Sequence, residues 1–276
     1  MLGELMMLLL ALNSNLYECI PEKEVDPYGK YNANKTVLGG TSGGRFESAV
    51  YDDDFNFYVT EDSSDGALRR YTPRRNVIKK AMKSKNYWQI LTRKGGDMKY
   101  LVLEPESTIS GTFRWASDES EGRNSASKLY FNSEGIEYHN GLLFFIAKKN
   151  KILYTLNLSK GIYKSESTES GLFDGQPDQI KHIRHVVGRD QEIMYFTEDF
   201  RSSGIHAQDL TTGKFFTVVH SYTYTSETTG IAFSPDMRHF YFCFQSPGTC
   251  FDITRVVSFF KFYFILCSLK FNMRLT

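Results

Sequence analysis

Acidic residues open four segments of the chain that resemble one another. Each segment begins with an acid, continues through a β-like apolar stretch and reaches a polar turn before a hairpin. The four opening acids are Glu47, Glu134, Asp178 and Glu227. Carboxylates gathered at one opening repel each other unless a cation neutralises them, and calcium takes six to eight oxygen ligands. The recurrence therefore predicts that these four residues are metal ligands and that the metal is calcium.

Each acid also has a purely structural interpretation. An acid at a strand start often caps a turn or accepts backbone hydrogen bonds, and only the fourfold recurrence favours metal binding. The pairs Glu61-Asp62 and Glu198-Asp199 stand at strand ends and could add ligands. The acidic run at 52–54 (DDD) is interpreted as a solvated turn.

The histidines offer weaker candidates for chemistry. His206 follows an acidic turn and is the best of the six for a role in a site. His182 and His185 lie three apart, a spacing that does not place two side chains on one face of a strand. No serine, histidine and aspartate series stands out, and the glycine-rich run at 39–44 (GGTSGG) does not match a phosphate-binding loop.

A repeated β unit must position the acids. Residues 58–71 and 195–209 contain the related runs YVTED and YFTED, and each reads as a strand, an acidic turn with glycine and a returning strand. Residues 142–158 and 240–254 share this outline with different turns. Acid-led strands followed by hairpins are typical of β-propeller blades, whose innermost strands line a channel. The predicted fold class is all-β, a β-propeller, with the acids at one mouth of the channel.

The rest of the chain divides around this repeat. The predicted segments are an N-terminal segment with a signal-like start (1–38), the propeller domain (39–255) and an apolar, non-native tail (256–276). Residues 104–128 lack the strand order and are predicted to form a long surface excursion. Residues 74–100 are predicted to hold a short helix or a further strand.

Composition limits the partners. The 33 basic and 32 acidic residues nearly cancel, which argues against nucleic-acid binding. The C-terminal apolar run is short and Lys261 interrupts it, so there is no clear membrane anchor. We expect a monomer, in the extracellular space or the secretory pathway, that acts on a small-molecule phosphoester. Cys243 and Cys250 pair across a hairpin or remain thiols; spacing alone leaves both open.

The ordered motifs resemble the PhoX-type alkaline phosphatase family and related calcium-binding propellers of bacteria and algae. The motifs are GRFE at 44–47, SEGI at 133–136, PDQI at 177–180, ETTG at 227–230 with FSPD at 233–236, and QSPG at 245–248. The resemblance implies a six-bladed propeller that binds calcium, and in true PhoX enzymes iron, and hydrolyses phosphomonoesters. It implies metal-ligand roles for Glu47, Glu134 and Glu227, and it places Asp178 in the family's Pro-Asp-Asn motif.

Several positions depart from that family. Gln179 replaces the asparagine, Ser246 replaces a histidine, and Cys19 does not match the family's metal-binding cysteine. The chain also ends near the point where the last blade should close. The main functional prediction is a metal-dependent phosphoester hydrolase acting at the mouth of the channel. The alternatives are a non-catalytic calcium-binding propeller and a calcium-dependent, lactonase-like hydrolase.

Overall fold

Strands dominate the computed structural model, which describes residues 8–12, 15–19, 33–40, 43–87, 89–92, 95–184, 192–200, 203–246, 248–254 and 271–272. The chain divides into two compact units, Met1–Glu166 and Ser167–Thr276. Most of the predicted N-terminal segment and C-terminal tail lies outside the described residues. Within the described part, no helix has the length and apolar character needed to span a membrane.

The first unit contains two blades joined at their outer edges. Its nine-stranded antiparallel sheet has the order β4-β5-β6-β7-β8-β12-β11-β10-β9. The first blade comprises β4 (Phe46–Tyr51), β5 (Phe57–Glu61), β6 (Arg69–Thr72) and β7 (Asp97–Pro105). The second comprises β9 (Ser133–His139), β10 (Leu142–Ala147), β11 (Ile152–Asn157) and β12 (Ile162–Ser167). Strand β8 (Ser110–Ala116) pairs with both β7 and β12. A small separate sheet comprises β1 (Leu8–Leu12), β2 (Asn15–Cys19) and β3 (Ala33–Lys35).

The first strands of these two blades, β4 and β9, lie side by side. Thr60 of β5 links them, because its hydroxyl lies 2.5 Å from the Glu134 carbonyl oxygen and accepts the Ser48 N–H at 3.1 Å. Thr60 and Glu134 are buried, so this link satisfies a backbone carbonyl group in the interior of the unit. The acid-bearing starts of β4 and β9 are thereby fixed next to each other.

Strand side chains that alternate between the two faces of the sheet form the core of the first unit. All of β5 is buried, and its successive side chains point to opposite faces. Tyr58 joins a cluster with Leu101, Phe145 and other residues, while Phe57 and Val59 join a second cluster. The second cluster packs against Ile90 and Leu91 of α2 (Gln89–Thr92) and Ala81 of α1 (Arg75–Ser84).

Residues 74–100 and 104–128 of the first unit both form regular secondary structure. The predicted surface excursion at 104–128 is wrong, because it contains the end of β7, all of β8, the helix α3 (Glu119–Ser125) and most of a π-helical segment, Ala126–Tyr130. The two strands pair directly, with Pro105 opposite Gly111. Gly111 leaves room for the Glu104 carbonyl oxygen, which would lie 2.3 Å from an added Cβ. Residues 74–100 hold both predicted alternatives, namely α1, α2 and the start of β7.

The predicted solvated turn at 52–54 is only half right. Asp53 and Asp54 are exposed, but Asp52 is buried. The Asp52 carboxylate accepts hydrogen bonds from the N–H groups of Asp54 and Asn56 and from the Tyr58 hydroxyl. This carboxylate therefore organises the turn between β4 and β5.

The second unit contains two more four-stranded blades. One comprises β13 (Gln176–Arg184), β14 (Glu192–Asp199), β15 (Gly204–Asp209) and β16 (Phe215–His220). The other comprises β17 (Thr228–Phe233), β18 (His239–Phe244), β19 (Thr249–Thr254) and β20 (Phe271–Asn272). Their shared core includes Tyr195, Ile205, Phe240 and Phe242. The four predicted hairpins, β5-β6, β10-β11, β14-β15 and β18-β19, are all present.

A disulfide closes the hairpin of the last blade. Cys243 of β18 lies directly opposite Cys250 of β19, with Cα atoms 4.0 Å apart, and the two are bonded. The alternative of unpaired thiols is therefore wrong for this pair. Facing positions on adjacent antiparallel strands bring the two Cβ atoms close enough for the bond.

Candidate functional site: the acid-bearing starts of the first strands

A bulge lies near the start of the first strand in every blade, and in three of the four blades it carries the opening acid. In the first and third blades, the first strand advances three residues where its partner strand advances only two. These stretches run from Phe46 to Ala49 and from Pro177 to Ile180. The second and fourth blades repeat this irregularity. Glu47, Glu134 and Asp178 all occupy the first bulged position. A β-bulge re-aims a side chain, so the repeat gives these three acids one common placement within their blades.

Glu227 does not share this placement. It precedes β17, and Gly230 stands at the bulged position of the fourth blade with a positive φ of 66°. That backbone conformation favours glycine. Glu227 is half-buried, and its carbonyl oxygen accepts the Gln245 N–H at 2.9 Å. Three of the four predicted acids are thus structurally equivalent, and the fourth is not.

Glu134 and Lys148 form a buried ion pair in the first unit. The Lys148 Nζ lies 2.9 Å from Glu134 Oε1, and the Glu134 side chain is only 2% exposed. Among the described residues, no hydrogen bond to Glu134 Oε2 is present. The ion pair, hereafter the Glu134–Lys148 site, therefore holds one oxygen of a buried carboxylate against an ammonium group.

The surroundings of Glu134 favour its protonated form. Burial, the largest effect, and the nearby carboxylates of Glu47 and Asp62 raise the pKa of Glu134, while Lys148 lowers it; together these effects raise the pKa to about 7. A buried carboxyl pays a large solvation cost when it ionises, and neighbouring negative charges add to that cost. The carboxyl of Glu134 therefore titrates near neutral pH, the range in which general acids and bases work best.

Asn132 positions the lysine end of the site. Its backbone has a positive φ of 52°, and its carbonyl oxygen accepts the Lys148 N–H at 3.0 Å. Its side-chain amide donates to Asp62 Oδ1 at 2.6 Å. One residue between the π-helical segment and β9 thus connects the acidic turn of the first blade to Lys148 of the second.

Of the four acids predicted to bind calcium, Glu47 and Glu134 lie in the first unit, near Asp62. Glu47 is exposed, Asp62 is half-buried, and Glu134 is already neutralised by Lys148. In the described part of the chain, the ligand oxygens of these three carboxylates do not all come within 4.8 Å of one another. The side chains as placed do not fit a three-carboxylate calcium site, and calcium and iron stay predictions.

The other candidates lie in the second unit. Asp178 is buried at the bulge of β13, and the neighbouring Gln179 accepts the Gly230 N–H through Oε1 at 3.1 Å. The metal-ligand roles predicted for Asp178 and Glu227 stay predictions.

His206, the best histidine candidate, contacts a buried glutamate, Glu198, across a hairpin. This glutamate and the groups that bind its carboxylate are called the Glu198 clamp. His206 and Glu198 are both buried, with Nε2 and Oε2 3.2 Å apart. Glu198 also accepts the N–H groups of Gly175 and Gly204. Although burial raises the pKa of Glu198, the hydrogen bonds from His206 and these N–H groups outweigh it and lower the pKa below its ordinary value.

The first blade repeats this clamp with a different base. Strand register makes Glu61 the equivalent of Glu198 and Arg69 the equivalent of His206. Arg69 is buried and lies 3.2 Å from Glu61. A buried glutamate with a basic partner across the hairpin is therefore a structural feature of the YVTED and YFTED blades.

Sequence reasoning missed Lys148 and Asn132. Lys148 follows β10 at the position that Asp62 and Asp199 occupy in the first and third blades. An alignment of the four blades at the end of their second strands, rather than only at the start of their first strands, would have shown that a base replaces an acid here. Asn132 carries no sequence signal beyond its place before β9.

Comparisons with known proteins support the fold. No family model matches the chain, and no curated protein matches it. A chain of the nidogen–laminin complex is 11% identical with a TM-score of 0.54, and the match covers 90% of this chain and 73% of that one. This likeness and the blade topology confirm the predicted all-β, β-propeller fold class, while the count of six blades stays a prediction.

Two further structures are less similar. A 6-phosphogluconolactonase-like protein from Bacteroides uniformis is 9% identical with a TM-score of 0.46, covering 96% of this chain and 66% of that one. The periplasmic gluconolactonase of Pseudomonas aeruginosa is 12% identical with a TM-score of 0.42, covering 88% and 60%. This chain thus spans less than two thirds of either protein. These comparisons give no support to the PhoX resemblance, which stays a prediction.

Proposed function

We propose that the protein hydrolyses a small, neutral carboxylic ester, most simply a lactone, at the Glu134–Lys148 site. The observation that carries this proposal is the buried ion pair of Glu134 and Lys148, in which a carboxylate oxygen lies 2.9 Å from an ammonium group. A base and a cation this close together can act on one ester group, the base on the attacking water and the cation on the carbonyl oxygen.

The reaction follows from these two groups. Glu134 takes a proton from a water molecule as the water oxygen bonds to the ester carbonyl carbon, while the Lys148 ammonium stabilises the negative charge on the carbonyl oxygen. The tetrahedral intermediate collapses, its bond to the ring oxygen breaks, and that oxygen takes the proton from Glu134. The product is a hydroxy acid, formed from one lactone and one water.

Charge favours a neutral substrate over a phosphomonoester. Glu47 and Asp62 are close enough to raise the pKa of Glu134, and Lys148 is the one cation paired with it among the described residues. A phosphomonoester dianion would be repelled by this carboxylate excess, and a neutral lactone would not.

Substitutions in the ion pair test the proposal. Glu134→Gln removes the base and Lys148→Met removes the cation, so each is expected to lower kcat/KM for lactone opening by a hundredfold or more, the usual contribution of such groups. Glu104→Gln is the matched control, because Glu104 is an exposed acid that pairs with Arg114. Thermal melting checks that each variant folds. Wild-type rates in folded Glu134→Gln would rule out this site.

The pH profile gives a second, independent test. The base must be ionised to accept a proton, so kcat/KM is expected to rise as the pH passes through about 7, the raised pKa of Glu134. A profile that is flat between pH 5 and 9 would contradict the role of Glu134.

The disulfide supports an extracellular or secretory-pathway location. Bonds such as Cys243–Cys250 persist in oxidising compartments and are rare in the cytosol. We expect alkylation and mass spectrometry of the natural protein to find both cysteines blocked. Free thiols at both positions would contradict this location.

A further inference from the structure

A groove lies at the far end of the first unit from the Glu134–Lys148 site. Glu47 and Glu134 stand at the starts of β4 and β9, whereas the groove is formed where these strands end. Its volume is about 420 Å³, enough for a small molecule. The lining residues are Asp52, Asp54, Asn56, Tyr58, Arg70, Phe113, Trp115, Tyr138, Gly141, Leu158, Ser159 and Gly161.

Arg70 is the polar group of the groove that lacks a partner. Its guanidinium stacks over Trp115, 4.8 Å from the ring centroid. Its Nε is buried and has no hydrogen-bond partner, and no hydrogen bond or ion pair joins Arg70 to any described residue. A buried donor left unsatisfied costs free energy, which an acceptor entering the groove would recover. Burial also lowers the pKa of Arg70, although the nearby acidic groups of Tyr58, Asp97 and Asp52 oppose this effect.

The neighbouring polar groups are already satisfied. The Asp52 carboxylate accepts the Tyr58 hydroxyl at 2.9 Å as well as the N–H groups of its own turn. The Tyr138 hydroxyl donates to Asp53 at 3.0 Å and accepts the Gly141 N–H at 3.1 Å. Arg70 is therefore the group in the groove with unused capacity to bind a ligand.

We propose that this groove binds a small organic carboxylate with an aromatic or similarly flat apolar body. A guanidinium presents parallel N–H donors that match the two oxygens of a carboxylate. Trp115, Tyr58 and Phe113 supply an aromatic wall for the body of the ligand. Asp54, an exposed acid at the groove, opposes the ligand charge and limits the affinity.

Tryptophan fluorescence tests the assignment with benzoate as the probe. The chain has two tryptophans, so Trp88→Phe leaves Trp115 as the single reporter. In this background, benzoate is expected to change the fluorescence saturably, and benzyl alcohol, of similar shape but neutral, is not. Arg70→Met is expected to weaken benzoate binding at least tenfold, and Arg114→Met, the matched control on an exposed arginine, is expected to leave it unchanged.

A second variant keeps the proposal testable if Arg70→Met does not fold. Asp54→Asn changes only an exposed turn side chain, and by removing a like charge it is expected to tighten benzoate binding severalfold. Three results would overturn the proposal: benzoate giving no saturable change, benzyl alcohol binding as well as benzoate, or Asp54→Asn weakening benzoate binding.

Discussion

At the scale of residues, the two blades of the first unit differ at one position, where an acid in the first blade is replaced by a base in the second. The position after the second strand holds Asp62 in the first blade and Lys148 in the second. This exchange places a cation beside Glu134, where the sequence alone suggested a bound metal. A carboxylate cluster needs a positive neighbour, but its identity depends on strand register, which the motif spacing did not determine.

The same scale explains why single-residue predictions differed in outcome. Glu134 and Asp178 are buried while their equivalent Glu47 is exposed, although all three open similar strands. Burial depends on what packs over each blade, and that packing involves residues far apart in the chain. The partner of His206 could not be identified from the motif spacing, because Glu198 lies across a hairpin.

The Glu198 clamp predicts a loss of stability in acid. The folded-state pKa of Glu198 is below its ordinary value, so its ionised form stabilises the fold above the unfolded-state pKa of about 4.3. This contribution is lost as the pH falls through the lower, folded-state pKa. Urea unfolding of wild type and Glu198→Gln should therefore differ most at pH 7 and converge toward pH 3.

Glu106→Gln provides the control for this titration, because Glu106 is exposed. Its difference from wild type should stay small at every pH. A Glu198→Gln difference that is constant from pH 7 to pH 3 would mean that the glutamate is not ionised in the clamp.

At the scale of elements, a threonine joins the first strands of neighbouring blades. Thr60 is fully buried, and its hydroxyl contacts backbone groups of Ser48 and Glu134. Thr197 repeats one part of this arrangement by accepting the Gln179 N–H at 2.8 Å. The YVTED and YFTED runs were recognised as hairpins, but the threonine's role across strands becomes visible only once the bulges are placed.

Thr60→Val should therefore destabilise the first unit. Valine has nearly the same shape, so the main change is the loss of hydrogen bonds to one buried and one half-buried backbone group, worth about 2 kcal/mol in unfolding free energy. Chemical denaturation measures this change. Thr211→Val, on an exposed turn, is the control and should have little effect. Equal stabilities for Thr60→Val and wild type would show that the hydroxyl does not hold the two strands.

At the scale of the whole molecule, the repeat was the strongest signal in the sequence. Hairpins with alternating apolar residues predicted the blades, and all four predicted hairpins are present. The pairing of β7 with β8 was missed because Pro105, Gly111 and the acidic run at 118–122 are typical of a loop, although Phe113 and Trp115 alternate with Arg114 as in a strand. Fold class follows from local patterns, whereas the chemistry of the site depends on contacts between blades.

The most direct test compares two substrates with one preparation of the whole protein. Wild-type protein is assayed before and after treatment with chelator, with a small lactone, whose opening is followed by the release of acid, and with p-nitrophenyl phosphate. Because the Glu134–Lys148 site carries its own cation, the account predicts that lactone opening persists after chelation and that no phosphate is released. Metal-dependent release of phosphate, with no lactone opening, would contradict it.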